Sequence, residues 1–322
     1  MRRVAVRVAV RAAWLVGSLL VASLLIFWAT NALPGDIAQI MLGTNATAGE
    51  AEALREQLGL NRPFLVRYGE WLGGVVVGDF GASMITGQSV GPLIAAKLGL
   101  SFWLVGFGML LALLIALPLG TYAAVRRNRW DGVAVSAVSQ IGLAIPAFWM
   151  GILLVLLFAV RLQWFPAGGY EPASVVGIGP WAKSLALPVL SLALVQASVM
   201  SRYVRSAVIE VIHEDYFRTA RSLGWSYLGS LGRHGLRNIA ISLLTVIGLQ
   251  LATLLVGAII IEQVFALPGL GSQLLLAVSR RDLVVVQGIV LVLVWAVLAI
   301  NFLVDLAYQL IDPRLRRAGE AT

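Results

Sequence analysis

Long stretches without a single charged residue alternate with shorter polar ones along this chain. The uncharged runs are residues 12–35, 98–125, 132–160, 184–201, 238–261 and 283–304. Each approaches or exceeds the roughly 18 to 20 residues that cross a bilayer at about 1.5 Å per residue. The pattern predicts an all-α membrane protein with six transmembrane helices. The run 184–201 is the shortest and most polar, carrying Pro188, Gln196 and Ser198. The first run has 24 residues, longer than the roughly 7 to 15 apolar residues of a secretory signal, so it reads as a retained helix.

Two polar segments stand out between the runs. Residues 36–97 are mixed, with turn signals at Leu33-Pro34-Gly35-Asp36 and Gly78-Asp79-Phe80-Gly81 and a short amphipathic helix over 48–58 closed by Gly59. This is either a solvated extramembrane loop or a docking surface. Residues 202–237 carry six arginines and three acids, with Gly224 dividing a short helix, 216–223, from another ending near Arg237. Such a piece cannot remain in hydrocarbon, so it protrudes into water.

Composition sharpens this picture. Hydrophobic residues make up 59% and charged residues 12%, far from the roughly 25% charged of soluble domains. Cysteine is absent and there are two histidines, which removes thiolate metal sites and cysteine nucleophiles and disfavours a protein-built metal centre. The net charge of +8 matters through its placement. With the N-terminus inside, residues 1–11, 126–131, 202–237 and 305 onward hold 16 of the 24 Lys and Arg. That is the positive-inside distribution, and it predicts both termini and the 202–237 segment to be cytoplasmic. The expected organisation is a cytoplasmic N-terminus (1–11), a first helix (12–35), a large extracytoplasmic loop (36–97), a transmembrane core (98–311) containing the loop between helices 4 and 5, and a cytoplasmic tail (312–322).

The chain lacks an engine of its own. A phosphate-binding loop needs Lys directly after Gly, and the only lysines, Lys97 and Lys183, each follow Ala. Gly177 to Ala182 superficially matches a dinucleotide fingerprint, but Pro180 and the lack of a βαβ unit make it a loop. Asn45-Ala46-Thr47 is a glycosylation sequon, informative only where the organism glycosylates. Ion-coupled carriers place carboxylates or histidines near the bilayer centre, whereas here Glu262 and Asp305 sit at the ends of runs and His213 and His234 lie outside them. What remains inside is uncharged polarity: Ser136, Ser139 and Gln140, then Gln196 and Ser198, then Gln250 and Thr253. These either form interhelical hydrogen bonds of about 0.6 kcal/mol each or line a path for a polar solute. If energy comes from a separate ATPase, 202–237 is placed to be the lever seated in it.

At this segment the sequence resembles the inner-membrane permease subunits of ABC importers of the dipeptide and oligopeptide family. The likeness rests on Asp215-Tyr216-Phe217-Arg218-Thr219-Ala220-Arg221, then Gly224, then Arg233-His234-Gly235-Leu236-Arg237-Asn238, which follow that family's EAA loop. Arg218 stands for the general motif's Glu, Thr219 for its first Ala, His234 for Ile and Arg237 for Pro, as in peptide-type members. Leu58-Gly59-Leu60-Asn61-Arg62-Pro63, 78–83 and 265–271 extend the likeness over most of the chain and match the first permease of such pairs. The resemblance implies a subunit without catalytic residues or cofactors of its own, in the inner membrane of a bacterium or archaeon. Its implied partners are a second homologous permease, two cytoplasmic ATPases that hold ATP and Mg, an extracytoplasmic binding protein and membrane lipid. It also implies that Tyr216, Phe217 and Leu223 enter an ATPase cleft while Arg218 and Arg221 pair with its acidic rim.

Two other classes compete. An ATP-independent channel or carrier would use the same polar spans. A helix-turn-helix around Gly224 would bind nucleic acid, but a loop held at both ends by membrane spans is poorly placed to enter a groove, so no nucleic-acid partner is expected.

Overall fold

The computed structural model describes residues 2–32, 42, 47–57, 59 and 61–311. The 33–36 turn, Asn45 and Ala46 of the sequon, Leu58 and Leu60 of the 58–63 motif, and the 312–322 tail lie outside the described residues. The described residues form helices α1 (Arg2–Ala32), α2 (Ala48–Gln57), α3 (Phe64–Val76), α4 (Val90–Val125), α5 (Trp130–Ala144), α6 (Ala147–Leu154), α7 (Ala173–Val176), α8 (Ile178–His213), α9 (Asp215–Ser222), α10 (Tyr227–Ser230), α11 (Leu236–Val264), α12 (Leu270–Ser279) and α13 (Leu283–Ile311). Two π-helical stretches, Val155–Arg161 and Leu231–Gly235, continue α6 and join α10 to α11. Among the described residues five helices are long and apolar enough to cross a membrane, and six if the bent pair α5 and α6 counts as one.

That pair is where the structure departs from the run pattern. The single run 132–160 is two helices bent by 100°. Pro146 forces its predecessor out of the helical region, and Ile145 accordingly sits at φ −91°, ψ 119°. A new helix starts at once, with Met150 N–H donating to Pro146 O at 3.1 Å. Pro118 and Pro188, by contrast, lie within continuous helices.

The chain divides into two compact units. The first contains 101–268 and 299 onward, with α8 as its axis. This is the helix grown from the most polar run, yet 61% of its apolar stretch is buried, against 28% for the span ending in α11. Its Ser191, Gln196 and Ser201 face protein rather than lipid, with Ser191 fully buried. Glycines allow the close approach of its neighbours. A Cβ at Gly120 of α4 would fall 2.7 Å from Ser201 O, and one at Gly142 of α5 would fall 2.1 Å from Ser198 Oγ. Phe265, 1% exposed, is held between Gly151 and Gly168, where added Cβ atoms would meet its ring and its carbonyl.

The second unit contains 9–100 and 269–298. Phe27 of α1 packs against Phe64, Tyr68 and Trp71 of α3, with ring centroids 5.3 to 5.7 Å apart. Tyr68 Oη shares a 2.8 Å hydrogen bond with Ser23, and Arg67 donates to Asn31 Oδ1 at 2.6 Å. Within the 36–97 segment, α3 is thus tied to α1. Ser83 donates to the Asp282 carboxylate and Met84 N–H donates to its other oxygen, fastening the 78–83 motif to the start of α13. In α2, Thr47 N–H and Oγ1 donate to Glu50 at 2.9 and 2.7 Å, while Glu50 N–H donates to Thr47 Oγ1. This is a reciprocal capping box, and its backbone bond holds the Glu50 carboxyl below the ordinary range.

Candidate functional site

The 202–237 segment begins as helix, because α8 carries Arg202 and Arg205 on to His213. Glu214, at φ −69° and ψ 144°, breaks it and starts α9. α9 ends in a Schellman motif: Gly224 N–H donates to Arg221 O at 3.1 Å and Trp225 N–H to Ala220 O at 3.3 Å. This ending requires a left-handed residue, and Gly224 stands there at φ +88°. Ser226 then caps α10, accepting from Gly229 N–H at 3.1 Å.

One face of this turn is anchored. Phe217 and Leu231 join Val208 and Val211 of α8 in the hydrophobic core, Ala220 is also buried, and the Phe217 ring meets Tyr227 edge-on at 5.2 Å. Phe217 is 2% exposed, which corrects the expectation that it is offered to a partner beside Tyr216 and Leu223. Its helical position turns it back onto α8, because α9 is amphipathic and only one stripe can face outward. The outward face carries Leu223, 75% exposed, and Leu228, 69% exposed.

Around these lie the basic groups. Arg218 approaches Asp215 at 3.7 Å, Arg221 lies over Tyr227 at 5.5 Å, and Arg233 lies over Trp225 at 5.4 Å. His234 meets Trp225 edge-on at 5.8 Å. Thr219 is exposed and donates back along its own helix to Asp215 O at 3.0 Å. Arg237 is exposed at the start of α11. The turn 126–129 lies beside the end of α8, with Arg127 Nη2 3.2 Å from His213 Nε2.

Of the polar residues inside the runs, four converge. Ser136, Ser139 and Gln140 of α5 and Ser198 of α8 line one cavity of about 340 Å³, counting its open mouth, together with Gly120, Ala123, Leu143, Ser201, Arg202 and Arg205. Ser136, Ser139 and Ser198 donate to carbonyls one turn back, at 3.0 to 3.1 Å. Ser201 is 3% exposed and its Oγ has no hydrogen-bond partner, and the buried Arg205 Nε also lacks one. Gln196 is buried elsewhere on α8, its Nε2 likewise unpartnered. Gln250 and Thr253 of α11 lie outside this cavity, Thr253 being exposed and donating to Leu249 O. Sequence reasoning missed Ser201, Arg202 and Arg205 as part of this group. The signal was present, since 198, 201, 202 and 205 follow the i, i+3, i+4, i+7 spacing of one helix face.

Comparison with known proteins matches this architecture to one family. Residues 116–317 match the model of the binding-protein-dependent transport system inner membrane component, and residues 1–104 match the N-terminal model of the same components. A Brucella abortus (strain 2308) protein described as a peptide transport system permease is 40% identical over 306 residues, covering 95% of this chain and 97% of its own. The glutathione transport system permease protein GsiC of Salmonella typhi is 38% identical over 302 residues, covering 94% and 96%. Among solved structures, an inward-facing MetNI methionine ABC transporter chain superposes with a TM-score of 0.57 at 19% identity, covering 68% of this chain and 96% of its own. That likeness is one of fold. The matches support a transport permease over an ATP-independent channel or carrier. A helical bundle matched along nearly its whole length by such permeases has one reading: the chain belongs to the binding-protein-dependent transport system inner membrane component family and is a multi-pass permease subunit of an ABC importer.

Proposed function

We propose that this permease crosses the membrane six times, the bent pair α5 and α6 making one span, with both termini and the 202–237 segment in the cytoplasm. The arginine distribution supports that orientation. It works beside a second homologous permease, two ATPases that hold ATP and Mg, and an extracytoplasmic binding protein. Closure of the ATPase pair moves the 202–237 turn, and the path then opens outward to receive solute. Peptides or glutathione-like solutes are the expected cargo, as the names of its relatives suggest.

The observation that carries the coupling role is the two-sided build of the turn from α9 into α10. Phe217 and Ala220 root it in the core of the unit, while Leu223 and Leu228 stand in water among arginines. Exposed leucines within a charged, extramembrane surface mark a site that a partner covers. Arg218 and Arg221 supply complementary charge for an acidic rim. Asp215, Tyr216, Thr219, Gly224, Arg233, His234 and Arg237 shape or border the same turn.

The test is reconstitution with the neighbouring permease, ATPases and binding protein, followed by uptake with and without ATP. ATP-dependent uptake is expected, and uptake without ATPases would refute the assignment. Gly224→Pro is expected to leave membrane insertion intact and to abolish ATPase association. Unchanged association would refute the lever role.

A further inference from the structure

We propose that the cavity between α4, α5 and α8 is a carboxylate-recognising station for the transported solute, with Arg202 and Arg205 as its charged donors. The inference rests on the cargo class proposed above and adds a place where that cargo is held.

Three observations converge on an anionic group. Two arginines line the cavity and no acidic residue does, the Arg202 guanidinium lying 5.1 Å from the Tyr203 ring centroid. Neither Arg202 nor Arg205 forms an ion pair among the described residues, although the nearby Arg126 is paired with Asp131. Two donors are left over: Ser201 Oγ, on a residue 3% exposed, and Arg205 Nε. Burying a donor without a partner is costly, so a site with two of them is organised for an acceptor that it does not itself contain. Gln140, on the opposite wall, offers an amide that can donate as well.

The fit is to a small oxyanion rather than to a whole peptide. The 340 Å³ of space includes open solvent at the mouth, so the enclosed part admits a small group and not a whole peptide. A guanidinium pairs with a carboxylate in a planar fork, and the serine and amide can complete the remaining lone pairs. The end of a peptide that every member of the class shares is its terminal carboxylate. Recognition there is independent of side chains, which suits a permease whose selectivity is set upstream. The close approach at Gly120 and Gly142 fixes the two walls against α8, so the site is built by packing rather than by mobile loops.

An anionic lipid headgroup presents similar oxygens and is the alternative occupant. It is distinguished by the membrane composition of the experiment.

The chain has no cysteine, so Ser139→Cys introduces a single thiol on the cavity wall, read by the mass of this chain within the complete transporter in phosphatidylcholine nanodiscs. A cleft of one sign concentrates counter-ions by about tenfold or more, so the anionic reagent sulfonatoethyl methanethiosulfonate is expected to label about tenfold faster than its trimethylammonium counterpart. Dialanine should slow the anionic reagent at least about threefold, and alanylalaninamide should not. Arg202→Gln with Arg205→Gln should remove both effects, whereas Arg205→Lys should keep the charge preference.

Equal rates for the two reagents, no labelling at all, or equal protection by the amide would each overturn the proposal. Slower labelling when phosphatidylglycerol replaces part of the lipid, with no effect of dialanine, would assign the site to lipid and also overturn it. ATP-driven dialanine uptake is measured on the same preparation. Uptake without protection overturns the station alone, and protection without uptake supports the station while refuting dialanine as cargo.

Discussion

Asn238 Nδ2 donates to Tyr216 Oη at 2.8 Å, joining the first turn of α9 to the first turn of α11 across 22 residues. The bond closes the base of the turn that carries Leu223 and Leu228. Closing it locally means that a force on α9 is passed to α11 directly and not only through the chain between them.

Tyr216→Phe removes the hydroxyl and keeps the ring. The exposed hydrogen bond is worth about 1 kcal/mol, so the transporter should assemble and insert normally. The expected change is in coupling: more ATP hydrolysed per solute transported. Asn238→Ala should give the same loss, and the double variant no more than either alone. Additive losses would show that the two residues act separately.

The corrected place of Phe217 separates anchoring from docking. Phe217→Ala empties a buried site and should destabilise the chain by about 3–5 kcal/mol, seen as a lower Tm of the isolated permease pair. Leu223→Asp changes an exposed residue, so Tm should hold while ATPase binding weakens. If both variants fail only in ATPase binding, the assignment of Phe217 to the core is wrong.

Among the helices that end in the same backbone motif, α9 and α11 carry different residues at its left-handed position. α9 has Gly224 at φ +88°, and α11 has Ala266 at φ +50°, with Ala266 and Leu267 N–H donating to Gln263 O and Glu262 O. A left-handed L-residue costs about 1–2 kcal/mol. Gly224→Ala should therefore destabilise the turn by about that amount although its Cβ would meet nothing within 4 Å. Ala266→Gly should relieve the same strain, offset in part by about 0.5–1 kcal/mol of added chain entropy. Thermal unfolding of both variants checks the pair, and opposite signs are expected.

Gly142 and Ser198 test the wall of the cavity. An added Cβ at Gly142 would lie 2.1 Å from Ser198 Oγ and 3.0 Å from its Cβ. Gly142→Ala should separate α5 from α8 and cost about 1–3 kcal/mol as overpacking. Combining it with Ser198→Gly should recover most of that loss. No recovery would mean that the loss does not come from contact with the Ser198 side chain.

Much was legible from the pattern of charge alone, because hydrocarbon admits few uncompensated charges and an α-helix needs about 20 apolar residues to cross it. The uncharged runs, the Gly224 break within 202–237 and the missing phosphate-binding loop all followed from residue order. The helix-ending glycine was readable because a left-handed position has few occupants. The residues that make up the family's loop motif were equally visible, since they are contiguous.

Tertiary packing decided the rest. The 132–160 run reads as one span, yet at Ile145-Pro146 it becomes two helices bent by 100°, an angle that residue order does not set. The polar run 184–201 became the most protected axis of its unit, because Ser191, Gln196 and Ser201 are costly in lipid but not against other helices. Phe217 turned inward because α9 can present only one stripe to α8. Most of all, the sequence places Arg202 and Arg205 in a protruding basic segment and Ser136, Ser139 and Gln140 in a distant span. Helical periodicity on α8 and the glycine contacts of α5 bring them to one cavity, a juxtaposition that linear order does not encode because side-chain proximity is set by packed faces.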